Sequence, residues 1–405
     1  LTNGNIKLTV LEIRSSVSTR AELLFIKKTS RNFLIKNKMV ITAENIVHYL
    51  TDKNFVTAES VVNGNFIVVD MSRRNRNFKI IRNHDKGYFV KQVKNWDMQS
   101  VNSLVREANS YHLVQSSKGF EELAELMPRL IYFDSYRSII VLELFPQSEN
   151  LSEMHLRLGG FPTYIASSLG KSLGTYHKNV RNTINEVRAK KIFPETLPWM
   201  LTVNHQYIQQ VKNIDANHHQ FFSIIDKYPE FLISIQQLSE TWHVNSLIHG
   251  DMKWDNCIVF KNTETTSDEL TIKIIDWELA DLGDSSWDVG AIFQTYLSLW
   301  VMSIPSAGQT GVSQAEQLAK YKIEEMHPAI KAFWNEYVST MKINDSSQRA
   351  LLQKCSQYAA IRMIQTVYEQ VHFTKQLSYN GVYLLQLSLN ILKNPAEATS
   401  ELLGL

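Results

Sequence analysis

His249, Asp251, Lys253 and Asn256 fall in one short stretch, Leu247-Ile248-His249-Gly250-Asp251-Met252-Lys253-Trp254-Asp255-Asn256-Cys257-Ile258-Val259-Phe260, and a further acid, Asp276, closes the apolar run Thr271-Ile272-Lys273-Ile274-Ile275. The first stretch reads as apolar strand, polar loop, apolar strand. Residues 257–260 carry the chain away from the loop, the polar residues 261–269 can turn it, and 270–275 bring it back. A hairpin of that shape returns Asp276 to the neighbourhood of Asn256 and Asp251. Three oxygen-bearing side chains then converge at one end of a small sheet, a kit that suits phosphoryl transfer from ATP. A hard Mg²⁺ ion wants carboxylate and amide oxygens beside the phosphates, and Asn256 with Asp276 can supply them. The accepting hydroxyl needs a carboxylate to position it and take its proton, and Asp251 is placed for that. The bland alternative is a chance polar turn between two buried strands.

An Asn five residues after the Asp, followed by a downstream metal-binding Asp, matches the kinase catalytic loop. The glycine after His249, and Asp276-Trp277-Glu278 in place of Asp-Phe-Gly, make the chain resemble the aminoglycoside phosphotransferase and choline kinase family more than the protein kinases. The resemblance implies a kinase, a phosphotransferase with an alcohol group as acceptor, that uses ATP and Mg²⁺. Asp251 would be the base or positioner within the His249-Gly250-Asp251 turn. Asn256 and Asp276 would hold the metal, and Lys253 would contact the transferring phosphoryl. The acceptor would be a small-molecule hydroxyl, and the acidic floor that Asp276, Glu278, Asp281 and Asp284 would make suits a cationic one. Lys253 leans instead toward a peptide Ser/Thr hydroxyl. The rival from another class is a pseudokinase that binds nucleotide without turnover.

The elements that must position this loop can be read upstream. Residues 42–53 fit a short helix with Thr42 as cap. Strands are expected over 65–71 and 77–82 around a polar turn, then over 87–94 after the turn His84-Asp85-Lys86-Gly87, with Gly87 able to take positive φ. A helix over 97–115 and strands over 130–134 and 138–145 complete the set. That order resembles the small lobe of the same fold. The resemblance puts Lys91 at the phosphate-pairing position and Glu107 at that of the helix glutamate that holds it, although Glu121 and Glu122 lie just beyond. The turn 72–77 has no glycine, so its backbone amides, the Ser72 hydroxyl and the arginine side chains of the turn are the candidates for phosphate contact. Glu143, Leu144 and Phe145, where the chain leaves the last strand for Pro146, would offer backbone groups to the adenine edge. For Lys91 the competing reading is a strand lysine in solvent, and for the arginines of the turn a solvated loop.

Beyond residue 147 the pattern is helical. Residues 164–180 put Ile165, Leu169, Leu173 and Tyr176 on one face, with Gly170 and Gly174 permitting close packing. Gly170-Lys171-Ser172 lacks the first glycine of a phosphate-binding loop, because Ile165 stands there. His218 and His219 read as solvated. Residues 231–243 form a helix leading into the catalytic loop, and 291–302 a buried core helix. Asp288 resembles the aspartate that braces the catalytic loop, or else it is a helix cap. Residues 304–313 read as a Ser/Gly-rich loop. Helices follow over 314–341, broken at Pro328, 346–376 and 381–394.

The expected fold class is α+β: a bilobal protein-kinase-like fold, with a small five-stranded antiparallel N-terminal lobe carrying one helix and a large, mainly helical C-terminal lobe. The expected division is a nucleotide-binding lobe over 39–146 and a catalytic, acceptor-binding lobe over 147–405. Residues 1–38 hold eight Lys or Arg against Glu12 and Glu22. They read as a basic leader with no catalytic role, either a targeting peptide or an extension before a start at Met39. A net charge of +2 over 405 residues gives no argument for a nucleic-acid partner. No apolar run is long enough for a membrane span. Two cysteines without pair spacing argue against disulfides or zinc and for a reducing, cytoplasmic setting.

Overall fold

The computed structural model describes residues 39–82, 86–214, 218–261, 270–305 and 317–405. The expected leader (1–38), most of the hairpin turn, His84 and Asp85, and most of the Ser/Gly-rich loop lie outside them.

Two short helices, α1 (Ile46–Asp52) and α2 (Ala58–Val62), precede a sheet of β1 (Phe66–Asp70), β2 (Arg76–Arg82), β3 (Tyr88–Gln92), β4 (Leu130–Asp134) and β5 (Ile139–Glu143). The sheet is antiparallel, in the order β1-β2-β3-β5-β4. Side chains alternate across a strand, and here the alternation divides two cores. Phe78, Ile80, Val90, Ile139 and Val141 face α1, packed with Ile46, Tyr49 and Leu50. Ile140 and Leu142 face the other way, onto helix α3 (Met98–Ser116) and the large core. Lys91 pairs in register with Ile140, so it too points toward α3. Asp97 caps α3 by accepting from the Ser100 amide at 2.9 Å. Its buried stripe runs Leu104, Glu107, Ala108, Tyr111 and Val114.

Two local expectations change. The helix near 42 starts at Ile46, because Asn45 takes the turn: its Oδ1 accepts from the Thr42 amide at 2.8 Å. Gly87 is required for close approach, not for positive φ: a Cβ there would lie 2.4 Å from the Ile80 carbonyl oxygen.

The rest is mostly helical. Short α4 (Glu121–Ala124) precedes β4, and β6 (Glu149–Asn150) leads into α5 (Leu151–Leu158), where Asn150 and Glu153 close a capping box. Then come α6 (Thr163–Ala189), α7 (His205–Ile214), α8 (His219–Lys227), α9 (Glu230–Glu240), α10 (Ser286–Met302), α11 (Ile323–Met341), α12 (Asp345–Thr374), α13 (Tyr379–Lys393) and α14 (Pro395–Glu401). Gly170 and Gly174 do bring α6 against α11, since added Cβ atoms would sit 2.3 Å from the Phe333 oxygen and 2.9 Å from Thr340 Cβ. Pro328 does not break α11: it is the sixth residue of the helix and forfeits one bond near its start. His218 is not solvated, but fully buried and stacked on Tyr368 at 4.2 Å. No helix among the described residues is long and apolar enough to cross a membrane.

The expected hairpin forms between β8 (Cys257–Lys261) and β9 (Leu270–Ile274), with Cys257 opposite Ile274. Two further strands, β7 (Ser246–Ile248) and β10 (Asp281–Gly283), pair beside it and hold the start of the loop.

Candidate active site

The loop between β7 and β8 is fixed from behind. Buried Asp288, at the start of α10, accepts from the His249 amide at 2.7 Å and the Gly250 amide at 3.2 Å. The Tyr176 hydroxyl donates to Asp288 and accepts from the His249 amide at 3.1 Å. Asp288 is therefore the brace that the family pattern suggested. Gly250 has φ +79°, and a Cβ there would sit 2.5 Å from the Leu279 oxygen. His249 is fully buried. Its Nε2 lies 2.9 Å from the Ile275 carbonyl, which can only accept, and its Nδ1 lies 3.3 Å from the Asp251 amide, which can only donate. These contacts have Nε2 donating and Nδ1 accepting, and they tie the loop to the end of β9.

With its amide held, Asp251 is gripped at both oxygens. Lys253 Nζ is 2.6 Å from Oδ2, and Arg362 Nη2 is 3.2 Å from Oδ1. Arg362 also donates from Nη1 to the Gly250 oxygen at 3.1 Å, and its guanidinium lies over Trp287, 5.5 Å from the ring centre. Burial would raise the Asp251 carboxyl, but Arg362 and then Lys253 outweigh it and hold it below its usual range. The chemistry of the loop gave no hint of Arg362. The signal that existed was an arginine inside the apolar run Tyr358-Ala359-Ala360-Ile361-Arg362-Met363-Ile364, where a charge demands a partner.

Asn256 donates from Nδ2 to the Asp251 carbonyl at 2.8 Å, which makes Oδ1 the atom it can offer a cation. The Ile275 amide donates to the Asn256 carbonyl at 2.9 Å, so Asp276 follows directly. Asp276 takes a left-handed backbone, φ +67° and ψ 55°, a conformation that Asp tolerates better than most residues.

Lys91 arrives from the sheet. Its Nζ lies 2.7 Å from Glu107 Oε2, 2.5 Å from Asp276 Oδ1 and 3.2 Å from Glu278 Oε2. Glu107, not Glu121 or Glu122, is the helix partner. Burial alone would lower the Lys91 ammonium; the carboxylates of Asp276, Glu107 and Glu278 hold it well above its ordinary value. Burial pushes the Glu107 carboxyl up to about 7 against the pull of Lys91. Oxygens of Glu107, Asp276 and Glu278 lie within 4.8 Å of one another. Three carboxylates share Lys91 and the mostly exposed Arg74, which reaches Glu278 at 3.3 Å. Such an excess of hard, negative oxygen fits a magnesium ion.

Other expected contributors are placed differently. Ser72 is exposed and staples its own turn, its Oγ accepting from the Asn77 amide at 3.2 Å. From that turn it is Arg74 and Asn75 that reach the site, through Glu278. The Glu143 and Leu144 amides donate to the Arg129 and Gly87 carbonyls at 2.9 and 3.2 Å, and the Phe145 oxygen accepts from the Ser148 amide at 3.1 Å. Asp281 and Asp284 do not join Asp276 and Glu278 in an acidic floor. Asp281 accepts from the Glu195 and Thr196 amides at 2.7 and 3.0 Å, and Asp284 binds Lys354 at 2.5 Å.

Solved structures with this architecture include a Plasmodium vivax ethanolamine kinase, 14% identical with a TM-score of 0.55, matched over 95% of this chain and 96% of that one. A choline kinase from Streptococcus pneumoniae is 15% identical, with a TM-score of 0.45 over 85% and 99% of the two chains. A GDP complex of an aminoglycoside 2'-phosphotransferase is 13% identical, with a TM-score of 0.48 over 89% and 99%. No family model and no curated protein matches the sequence. At these identities the likeness is one of fold. The chain has the bilobal kinase-like fold of the ethanolamine kinase, and the resemblance read from its catalytic loop holds at that level.

Proposed function

We propose that this chain is a kinase that moves the γ-phosphoryl of Mg-ATP to an alcohol hydroxyl of a small molecule. The observation that carries this reading is Lys91 of the sheet reaching Asp276 of the hairpin at 2.5 Å. It joins a phosphate-pairing charge to a metal-binding carboxylate, beside Asp251. The division of labour follows the lobes, with nucleotide held by 39–146 and the acceptor by 147–405. Asn256 and Asp276 would hold magnesium, which supplies charge neutralisation between the β- and γ-phosphates when bound. Lys91, steadied by Glu107, pairs the phosphates. Asp251 orients the acceptor hydroxyl and takes its proton late. Gripped by two cations it is a weak base, which suffices because the transition state is loose and asks mainly for position and charge. Lys253 stabilises charge on the transferring phosphoryl. His249, buried and bonded at both ring nitrogens, holds the loop. Both cysteines are free and buried, which supports a reducing, cytoplasmic setting.

A peptide Ser/Thr hydroxyl is the second reading, favoured by Lys253 sitting 2.6 Å from Asp251. Asp251→Asn tests the enzyme class. It should leave Mg-ATP affinity near wild type, cost some stability because nearly buried Arg362 loses its counter-charge, and lower phosphoryl transfer by about 10²–10⁴-fold. If wild-type protein binds Mg-ATP but transfers phosphate to no hydroxyl, and Asp251→Asn changes neither ADP release nor binding, the protein is a pseudokinase.

A further inference from the structure

Resting on the phosphotransferase reading, we propose that the acceptor carries no positive charge near its hydroxyl, and that Arg362 is the residue that enforces this. Asp251 is the group a hydroxyl must approach, and it is one negative charge between two positive ones. Lys253 occupies Oδ2 at 2.6 Å and Arg362 occupies Oδ1 at 3.2 Å. The Arg362 side chain is nearly buried, at 6% exposure, and its planar fork spans Oδ1 and the Gly250 carbonyl, a reach a lysine does not have. The acceptor end of the site therefore has a net charge of +1.

Among the described residues, the acids beside it are already engaged. Asp276 is bound to Lys91 at 2.5 Å. Asp281 is spent on the Glu195 and Thr196 backbone, Asp284 on Lys354, and Asp288 on the loop amides. Glu278 belongs to Lys91, Arg74 and Asn75. Asp255 is exposed, and Glu369, two turns along α12 from Arg362, is exposed and bonded to Gln365 at 2.8 Å. Arg362 also keeps one buried donor, Nε, without a partner. A cation about 6 Å from a +1 site, at an effective dielectric of about 20, is disfavoured by more than tenfold.

The test uses the full chain with Mg-ATP and acceptor pairs matched in shape: choline with 3,3-dimethyl-1-butanol, glucosamine with glucose, and a serine peptide flanked by arginines with one flanked by glutamines. Phosphate transfer is measured for each, or inhibition of ADP release for a pair in which neither member is phosphorylated. The uncharged member should lead by at least tenfold in kcat/KM or inhibition constant, and the lead should shrink as salt is raised. Arg362→Gln should cut the lead to within about threefold. Arg362→Lys should keep the lead while kcat falls, a split that a merely structural arginine would not produce. If Arg362→Gln fails to fold, Lys253→Gln, whose side chain is 41% exposed, should narrow the lead instead. A wild-type preference for the cations, or a lead untouched by the charge-removing variants, overturns the inference and leaves the phosphotransferase reading standing. ADP release that is insensitive to both Asp251→Asn and every acceptor sinks that reading and the inference with it.

Discussion

Replacing Lys91 by Met removes one ammonium from between three carboxylates. Asp276 is 37% exposed at its side chain and can turn to water, but Glu107 is 1% exposed and cannot. An uncompensated charge of that kind costs about 3–5 kcal/mol. The protein can relieve part of the cost by protonating Glu107, whose carboxyl already sits at about 7 with Lys91 present and rises further without it. This makes the damage depend on pH. A carboxyl raised above its unfolded value binds more protons in the folded state, so its contribution is fully present below about 4.5 and falls as pH climbs through the folded value. In the wild type that fall levels off above about 7. In Lys91→Met it continues, at about 1.4 kcal/mol per pH unit. Urea unfolding followed by tryptophan fluorescence at pH 7 and pH 8 should show the variant losing about a further 1.4 kcal/mol that the wild type keeps. Lys91→Met combined with Glu107→Gln should recover most of the loss and remove its pH dependence, while ATP turnover stays low in both. A single variant as stable as wild type at pH 8, or a loss that Glu107→Gln does not touch, would mean that Lys91 and Glu107 are not a buried pair.

Two further outcomes follow from the loop and its surroundings. Gly250→Ala should destabilise the fold by a few kcal/mol and abolish turnover, because φ +79° is unfavourable for alanine and its Cβ would lie 2.5 Å from the Leu279 oxygen; an active, equally stable variant would disprove the loop geometry. His155, 3% exposed among aromatic rings, is held by burial down to about 4, so the folded state resists protonation. Stability should therefore fall by up to about 3 kcal/mol between pH 6.5 and 4, and a His155→Gln variant whose acid slope matches that of wild type would remove His155 as the cause.

What could be read from the sequence was local or periodic. Apolar runs bounded by polar turns gave β2, β3 and β5, and Lys91 faces Glu107 because side chains alternate along a strand and recur every 3.6 residues along a helix. The hairpin that joins Asn256 to Asp276 was legible because its two apolar arms are adjacent in sequence. What was not legible depends on distant partners. Arg362 meets Asp251 across 111 residues. Asp281 looked like an acceptor-binding acid, but its ligands are backbone amides 85 and 86 residues away, and no composition or spacing announces a backbone amide. His218 looked solvated beside His219; only the placement of Tyr368, 150 residues on, buries it.

The charges of the site are imbalanced in opposite directions at its two ends. Glu107, Asp276 and Glu278 crowd around Lys91, whereas Asp251 alone has both Lys253 and Arg362. The same burial therefore leaves Glu107 raised and Asp251 lowered, because the number of cations per acid differs. On the proposed reading each imbalance matches a component of the reaction. The acid-rich end offers hard oxygens to a metal that would arrive with the nucleotide. The cation-rich end would face the transferring phosphoryl, whose charge is spread over its equatorial oxygens in the transition state. Only an interaction that is stronger in the transition state than in the ground state accelerates the reaction. On this argument removing Lys253 or Arg362 lowers kcat, while removing one acid from the Lys91 cluster shows first in nucleotide affinity.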